Sequence, residues 1–317
     1  KKRFEGAQAD YEGARLSLAG QVARTWYGIV ESEQQLALAE QMTDTFEKNQ
    51  AFIANRFANG LASSLENDLA TSALASSQAT ETMRERIRSA QVKELESFLG
   101  EYPKGDMDRN FSDSLPELAL APLPPTPAQA MENRPDLQAA RLQLEACGYD
   151  LSAAKMNLLP SVSLSGGPGS RSERFGDLLD NRFRTWEISG SVTQPLFNGG
   201  RIRANIRRSE ALRKVAEANF RAVALRAFTE AETLLANESF LQKEENYLKI
   251  ASMSAQIAAK TSWDRYQRGV QQIFDTLESQ RRAFEAESRL LSTRRERIFN
   301  RINLFLALGT PALPTEP

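Results

Sequence analysis

Apolar residues recur every three or four positions along most of the chain, which is the spacing of amphipathic helices. Two such stretches cover residues 7–58 and 64–100, with a break at Asn59-Gly60 between them. Two more cover residues 201–268 and 272–308. A helix over the third stretch would be about 100 Å long at roughly 1.5 Å per residue. The pattern therefore predicts two long helical hairpins.

The period of the pattern changes after Pro160, where apolar residues alternate with Ser, Thr and Glu in two short runs. Such alternation predicts two strands, each with one apolar and one polar face, separated by a polar loop of roughly eighteen residues. The apolar positions are Val162, Leu164, Trp186, Ile188 and Val192.

A proline-rich segment interrupts the helical pattern between residues 103 and 130, and it predicts an extended crossover because proline breaks helix interiors. A short helix is expected from about residue 126 to 133. A longer one is expected to begin near Pro135, a favoured first-turn position, and to continue to Asn157.

Two parts of the sequence match at an offset of 209 residues. Residues 56–61 lie over residues 265–270, and glycines 40 residues apart recur in both parts, at Gly60 and Gly100 and at Gly269 and Gly309. This spacing predicts an internal repeat. A helix and the strand pair precede the second copy, so the repeat predicts matching elements upstream of Lys1.

These boundaries predict six segments along the chain. They are a first helical hairpin over 1–102, the proline-rich crossover over 103–132, a leading helix over 133–160, the strand pair over 161–195, a second helical hairpin over 196–309 and a tail over 310–317.

Composition excludes several kinds of chemistry. The chain has no histidine and one cysteine, Cys147, so a Cys/His zinc cluster and a serine–histidine triad are ruled out. Cys147 is interpreted as a small packed residue. No phosphate-binding loop or nucleophile–base pair is recognisable, so the sequence predicts neither an enzyme nor a bound metal or cofactor.

Charge argues against nucleic acid as a partner, because 40 basic and 41 acidic residues leave a net charge of −1. One stretch is rich in arginine, but Glu210 and Glu217 interrupt it, and a solvated helix face explains it better. The arginines are Arg201, Arg203, Arg207, Arg208 and Arg213.

Three signatures follow one another in the second half: Asn133-Arg134-Pro135-Asp136-Leu137, Leu158-Leu159-Pro160-Ser161 and the run from Thr193 to Gly200, Thr-Gln-Pro-Leu-Phe-Asn-Gly-Gly. With the glycine turns and the Leu-Gly helix ends, their order resembles the outer-membrane efflux protein family, the TolC-like channels. The resemblance covers essentially the whole chain. Asn-Arg-Pro-Asp is similar to the branch that accompanies resistance-nodulation-division pumps, often as lipoproteins.

This resemblance implies a mainly α fold with a small β part. In the family, long antiparallel helical hairpins form a trimeric, periplasmic α-barrel, and strands contribute to a shared transmembrane β-barrel. The implied function is passive export through the outer membrane in a homotrimer, with most of the chain periplasmic. The implied partners are an inner-membrane efflux pump, a periplasmic adaptor protein and outer-membrane lipid. Alternatives are a channel for type I protein secretion and a coiled-coil scaffold without a pore.

The resemblance also implies site residues. Asp275 and Glu278, six and nine residues after Gly269, would ring the narrow periplasmic end of the tunnel, and Glu66 has the offset of Asp275 in the first repeat. The alternative for each is an ordinary exposed carboxylate. The five apolar strand residues would face lipid, or would pack on helices in a soluble sheet. The turns that would dock the adaptor contain Arg56, Gly60, Leu61, Ser63, Arg265, Gly269 and Val270.

Overall fold

The computed structural model describes residues 1–105, 114–118, 133–171, 173, 176 and 184–309. Within them, five long helices and one strand pair account for most of the chain. The helices are α1 (Lys2–Ala58), α2 (Ser64–Phe98), α3 (Pro135–Met156), α4 (Arg201–Gln267) and α5 (Ile273–Ala307), and the strands are β1 (Ser161–Ser170) and β2 (Arg184–Thr193). The short helix predicted near residues 126–133 lies almost entirely outside the described residues.

The helix boundaries reproduce the repeat. Helices α2 and α5 both contain 35 residues, and each boundary of α5 lies 209 positions after the matching boundary of α2. The turns before them agree too, because Gly60 and Gly269 have φ angles of 71° and 77°, a region that favours glycine. The backbone amides of Leu61 and Val270 donate to the carbonyls of residues 56 and 265, at 2.8 and 3.0 Å. The internal repeat is therefore present in the fold.

The chain divides into two compact units, and the first comprises Lys1–Asp10 and Pro135–Leu225. Ion pairs in this unit join the start of α1 to α3: Lys2 contacts Glu145 at 3.1 Å and Arg3 contacts Asp150 at 2.5 Å. The Arg3 pair is exposed and the Lys2 pair is half-buried, so each contributes little to stability but helps to fix which faces of the helices meet.

The strand pair belongs to the same unit and is antiparallel, with Val162 opposite Val192 and Pro168 opposite Trp186. Opposed residues share a face, so the five apolar residues lie on one side of the sheet, as the alternation predicts. Both strands are exposed along their whole length. They are longer than the alternating runs, because backbone pairing continues through Gly166 and Gly167. Only residues 171–183 separate them, fewer than the predicted eighteen.

The second unit comprises Tyr11–Arg134 and Arg226–Pro317, and most of its buried side chains lie on or against α5. Near the glycine turns, Ile273 and Leu277 pack with Phe46 and Ile53 of α1. Near the other end of α5, Ile298 packs with Val30 and Leu115, the latter in the short segment 114–118. Helix α5 therefore packs along α1 from its C-terminal end to about its middle.

The last turn of α5 is closed by the residues just before α3. Gly309 follows the helix with φ of 65°, and a Cβ there would lie 2.7 Å from the carbonyl carbon of Asn133. The Arg134 guanidinium donates to the carbonyl of Ala307 and to Glu230, both at 2.9 Å. The Asn-Arg signature and the Leu-Gly helix end, 175 positions apart, thus form one structural unit.

Substitution of Gly309 by Ala should destabilise the protein more than substitution of Gly100 by Ala. Both glycines have positive φ, so both variants carry backbone strain of about 1–2 kcal/mol. Only Gly309 has backbone atoms in the way, because a Cβ at Gly100 would meet nothing within 4 Å. We expect roughly 1–3 kcal/mol of additional loss for Gly309→Ala in urea unfolding. Equal losses in the two variants would show that the contact with Asn133 has no energetic role.

Candidate functional site

The two glycine turns, before α2 and before α5, carry the residues predicted to dock a partner. Ser63 caps α2: its hydroxyl accepts from the amide of Glu66 at 3.2 Å, and the Glu66 carboxylate accepts from the Ser63 amide at 2.7 Å. This reciprocal capping box fixes the first turn of the helix. Leu61 and Val270, at matching positions, are 67% and 61% exposed, so each turn presents one large apolar side chain to solvent.

Aromatic side chains pack together in the last turns of α1 and α4, just before the glycine turns. Phe52 of α1 packs edge-on against Trp263 of α4, with ring centroids 5.7 Å apart, and lies 6.4 Å from the ring of Tyr266. The Arg56 guanidinium lies over both Phe52 and Tyr266, at 5.8 and 5.7 Å, and donates to the carbonyl of Leu61 at 3.2 Å. Arg56 is thus a bracing residue of the first turn. Its aromatic partners were not predicted from the sequence, since Trp263 and Tyr266 lie more than 200 positions away.

The three candidate gate carboxylates have different surroundings. Asp275 is exposed in the first turn of α5, and its nearest partner is the Gln271 amide at 3.4 Å. Glu66 serves the capping box and also faces the hydroxyl of Tyr266, which lies 3.5 Å from its carboxylate. Burial, and then the negative charge of Glu66, raises the pKa of Tyr266, so this hydroxyl keeps its proton and can donate to Glu66.

The negative charge of Glu278 is balanced by two neighbouring arginines. Arg281 and Arg282 both bind its carboxylate, at 2.9 and 2.8 Å, and their hydrogen bonds lower the pKa of Glu278 to about 2. Arg281 also pairs with Glu285. Of the two acidic residues on α5 nearest the turn, Asp275 is therefore the one whose negative charge is not balanced by an adjacent arginine.

A groove of about 590 Å³ between α1, α2 and α5 is lined in part by Glu278. Its α2 side is lined by small residues such as Ala73 and Ser76, while Phe284 and Arg281 of α5 lie opposite. Small residues on one wall leave room for another helix or hairpin to approach closely.

A buried ion cluster lies farther along α5, and the sequence analysis did not identify it. Glu238 of α4 accepts from Arg297 at 3.3 Å and from Arg301 at 2.5 Å, and the amide of Asn300 lies 3.3 Å from it. Arg297 also binds Glu245 at 2.9 Å. Burial acts to raise the pKa of Glu238, but the arginine and Asn300 hydrogen bonds outweigh it, and the net pKa is lowered. The cluster orients α4 on α5.

The described residues contain no group of three or more Cys, Asp or Glu side chains placed to hold an ion. In the same residues, none of the helices has a stretch long and apolar enough to cross a membrane.

Duplicated long helical hairpins and an exposed strand pair are the defining features of the described residues. The chain belongs to the outer membrane efflux protein family, whose model matches residues 1–101 and 126–310. This confirms the resemblance read from the sequence. It also confirms the outer-membrane localisation and the fold class, mainly helical with a two-stranded sheet, in a family of channel proteins.

Curated relatives are named as outer membrane proteins, and several of them as efflux pump components. The chain is 30% identical over 308 residues to outer membrane protein OprJ of Pseudomonas aeruginosa, covering 97% of this chain and 64% of OprJ. It is 26% identical over 316 residues to the solvent efflux pump outer membrane protein SrpC of Pseudomonas putida, covering 97% of this chain and 65% of SrpC. A probable outer membrane lipoprotein, SilC of Salmonella typhimurium, is 24% identical over 98% of this chain and 67% of SilC. The chain thus spans less than two thirds of the length of OprJ and SrpC.

Solved structures share the fold. A membrane protein from Pseudomonas aeruginosa has a TM-score of 0.91 at 28% identity, over 98% of this chain and 69% of that one. The Campylobacter jejuni CmeC outer membrane channel has a TM-score of 0.87 at 20% identity, over 100% of this chain and 67% of that one.

Replacing Glu238 by Gln should cost about 3 kcal/mol of unfolding free energy at pH 7, because it leaves the buried arginines without their shared carboxylate. The folded-state pKa of Glu238 is lowered below 4.5, so its contribution is present above that pH and is lost as the pH falls through the folded value. The difference in unfolding free energy between the Glu238→Gln variant and the parent protein should therefore become smaller at acidic pH.

Urea unfolding, followed by tryptophan fluorescence between pH 3 and 8, measures the unfolding free energies of the Glu238→Gln variant and the parent protein. Glu217→Gln is the matched control, since Glu217 lies on the same helix and pairs with Arg221 at the surface, where such a pair contributes at most about 1 kcal/mol. A cost for Glu238→Gln as small as that of the control would contradict the proposed role of the cluster.

Proposed function

We propose that the protein is the outer-membrane channel of a tripartite efflux system and exports substrates passively. In this proposal three copies assemble around one pore, an inner-membrane pump delivers the substrate, and a periplasmic adaptor joins pump and channel. The observation that carries the proposal is the duplicated helical hairpin in a chain that matches the efflux family over residues 1–101 and 126–310. Relatives named as solvent and toluene efflux pump components support it.

The strand pair is proposed to cross the outer membrane. Each strand has ten residues, and a strand needs about 9–11 residues to span the hydrocarbon core. Its apolar face is solvent-exposed throughout: Val162, Leu164 and Val192 are among the most exposed large apolar residues of the chain. A soluble sheet packed on helices would bury this face, so its exposure favours the lipid-facing assignment for all five apolar residues.

Asp275 is proposed as the main carboxylate of the periplasmic constriction. It is exposed, it begins α5 directly after the glycine turn, and no arginine binds it among the interactions of the described residues. A ring of such carboxylates would attract cations and repel anions. Glu278 contributes less in this proposal, because Arg281 and Arg282 balance its charge. The contact between Tyr266 and Glu66 would help to hold the two turns together in the closed state.

Asp275→Asn should reduce cation selectivity of the channel in planar bilayers, measured as the reversal potential in a salt gradient. Glu278→Gln should change it less, because the Glu278 side chain is only 27% exposed and lies about one helical turn farther from the glycine turn. With a pKa of about 2, Glu278 stays ionised near neutral pH, so a pH dependence of the selectivity there comes from another group. Asp264→Asn, exposed on α4, is the control for a general loss of charge.

The assignment of Asp275 to the constriction is wrong if the channel with Asp275→Asn conducts with the same cation selectivity as the parent channel. If the parent protein neither assembles into trimers nor conducts, the proposed channel function is wrong.

The glycine turns are proposed to dock the periplasmic adaptor through Leu61 and Val270. The other predicted docking residues, Arg56, Gly60, Ser63, Arg265 and Gly269, shape the turns around them. The groove beside Ala73 and Phe284 offers a continuation of the same surface.

Leu61→Asp combined with Val270→Asp should weaken adaptor binding at least tenfold, because two exposed apolar contacts of the interface would become charged. Surface-bound channel titrated with the adaptor of the same system measures the affinity. Leu99→Asp, at the opposite end of α2 and 44% exposed, is the control and should bind normally. Normal binding by the turn variant would place the adaptor elsewhere.

A further inference from the structure

The junction between β2 and α4, residues 194–208, carries an unusual concentration of unpaired positive charge. Four arginines fall within its last eight residues, and residues 194–209 contain no acidic residue. All four are exposed, and none of them takes part in an ion pair with another described residue. They are Arg201, Arg203, Arg207 and Arg208.

Acidic groups on α3 and at the start of α4 are already occupied, and Glu187 of β2 lies seven residues before the junction. Glu210, the first acidic residue of α4, pairs with Lys214, and Asp150 of α3 pairs with Arg3. The last ten residues before the sheet, 151–160, carry one charge, the exposed Lys155. The positive charge at the junction is therefore not compensated within this unit.

Apolar side chains lie directly beside these arginines. Leu196 and Phe197 are each 93% exposed, more than any other large apolar residues among those described. Leu159, just before β1, is 58% exposed, and the Gln194 side chain binds the carbonyl of Leu158 at 3.3 Å, which joins the two sides of the junction. Exposed aromatic and leucine side chains next to arginines are typical of the boundary between hydrocarbon and headgroups.

We propose that the four arginines form a collar that binds anionic phospholipid headgroups of the periplasmic leaflet of the outer membrane. The inference rests on the proposed placement of the strand pair in that membrane. Arg201 and Arg208 are separated by about 10 Å along the helix axis, at roughly 1.5 Å per residue. The headgroup region is roughly 5–7 Å deep on each side, and long arginine side chains can reach into it. Guanidinium groups suit phosphate because they donate two parallel hydrogen bonds.

The alternative for this stretch is a solvated helix face with no specific partner. Four other exposed basic residues of α4 without an ion pair to a described residue allow a direct comparison. Arg226, Lys243, Lys249 and Lys260 are spread over 35 positions, and all follow β2 by more than 30 positions. Their replacement removes the same charge from the same helix.

The test compares Arg201→Gln, Arg203→Gln, Arg207→Gln and Arg208→Gln, combined in one variant, with the four glutamine substitutions at the control positions. Each protein is reconstituted in vesicles of phosphatidylcholine with a minor share of phosphatidylglycerol, and the lipid retained after mild detergent extraction is quantified by mass spectrometry. The parent protein should enrich phosphatidylglycerol. The junction variant should lower that enrichment by at least about fivefold at low salt, while the control variant should behave like the parent.

Equal loss in both variants, or enrichment that survives in the junction variant, would overturn the proposal. A variant with lysine at the four junction positions should keep most of the enrichment at low salt, which separates loss of charge from loss of fold. Co-flotation with vesicles of phosphatidylcholine alone tests membrane placement separately. If the parent protein does not float with them, the placement itself is wrong. If every variant floats but none depends on the junction arginines, only the collar is wrong.

Discussion

The pairing of α4 with α5 depends on a small set of buried charges. Removing a carboxylate and two guanidinium groups from water costs several kcal/mol per ion, and only close hydrogen bonding offsets it. Glu238 receives such bonds from Arg297 and Arg301, and Arg297 reaches on to the carbonyl of Leu118 at 3.3 Å. A shift of α4 by one turn along α5 would leave these charges buried and unpaired. The cluster therefore specifies one register for the pair and holds segment 114–118 against it.

The opposite end of α5 is held differently. Near the glycine turns no ion pair joins the helices in the part of the chain that the structure describes: Asn49 donates to Gln280 at 2.8 Å, Ser262 to Thr276 at 3.2 Å, and the Tyr266 hydroxyl to Glu66 at 3.5 Å. Each neutral hydrogen bond contributes about 0.5–1.5 kcal/mol, whereas breaking a buried ion pair costs roughly 3–5 kcal/mol. Rearrangement is therefore easier at the end that carries Asp275 than at the end that carries Arg297. A channel whose periplasmic end opens while its opposite end stays fixed needs this asymmetry.

Much of this fold could be predicted from the sequence because its signals are local. Proline-free helical runs, glycines at a fixed spacing and alternating strands gave helix boundaries within a few residues and the correct sheet face. The strand ends could not be read, since Gly166 and Gly167 interrupt the alternation but not the backbone pairing. The partners of Glu238 were also unreadable, because they lie about 60 positions away and only packing brings them together. The arginines on Glu278 were a missed signal, since they stand three and four residues later on the same helix.

The apolar surface that one copy leaves exposed argues for assembly. Helix α4 presents Phe240, Tyr247, Ile250 and Ile257 to solvent, each more than 60% exposed, at intervals of three and seven residues that place them along one face. Burial of apolar surface contributes about 25 cal/mol per Å², so a long stripe of large side chains left in water carries a substantial cost. The α4–α5 register fixed by Glu238 determines where this stripe points, because α4 cannot rotate without breaking the buried pairs. The same cluster that joins the helices within one chain thereby holds in place an apolar face suited to a second copy, as the proposed trimer requires.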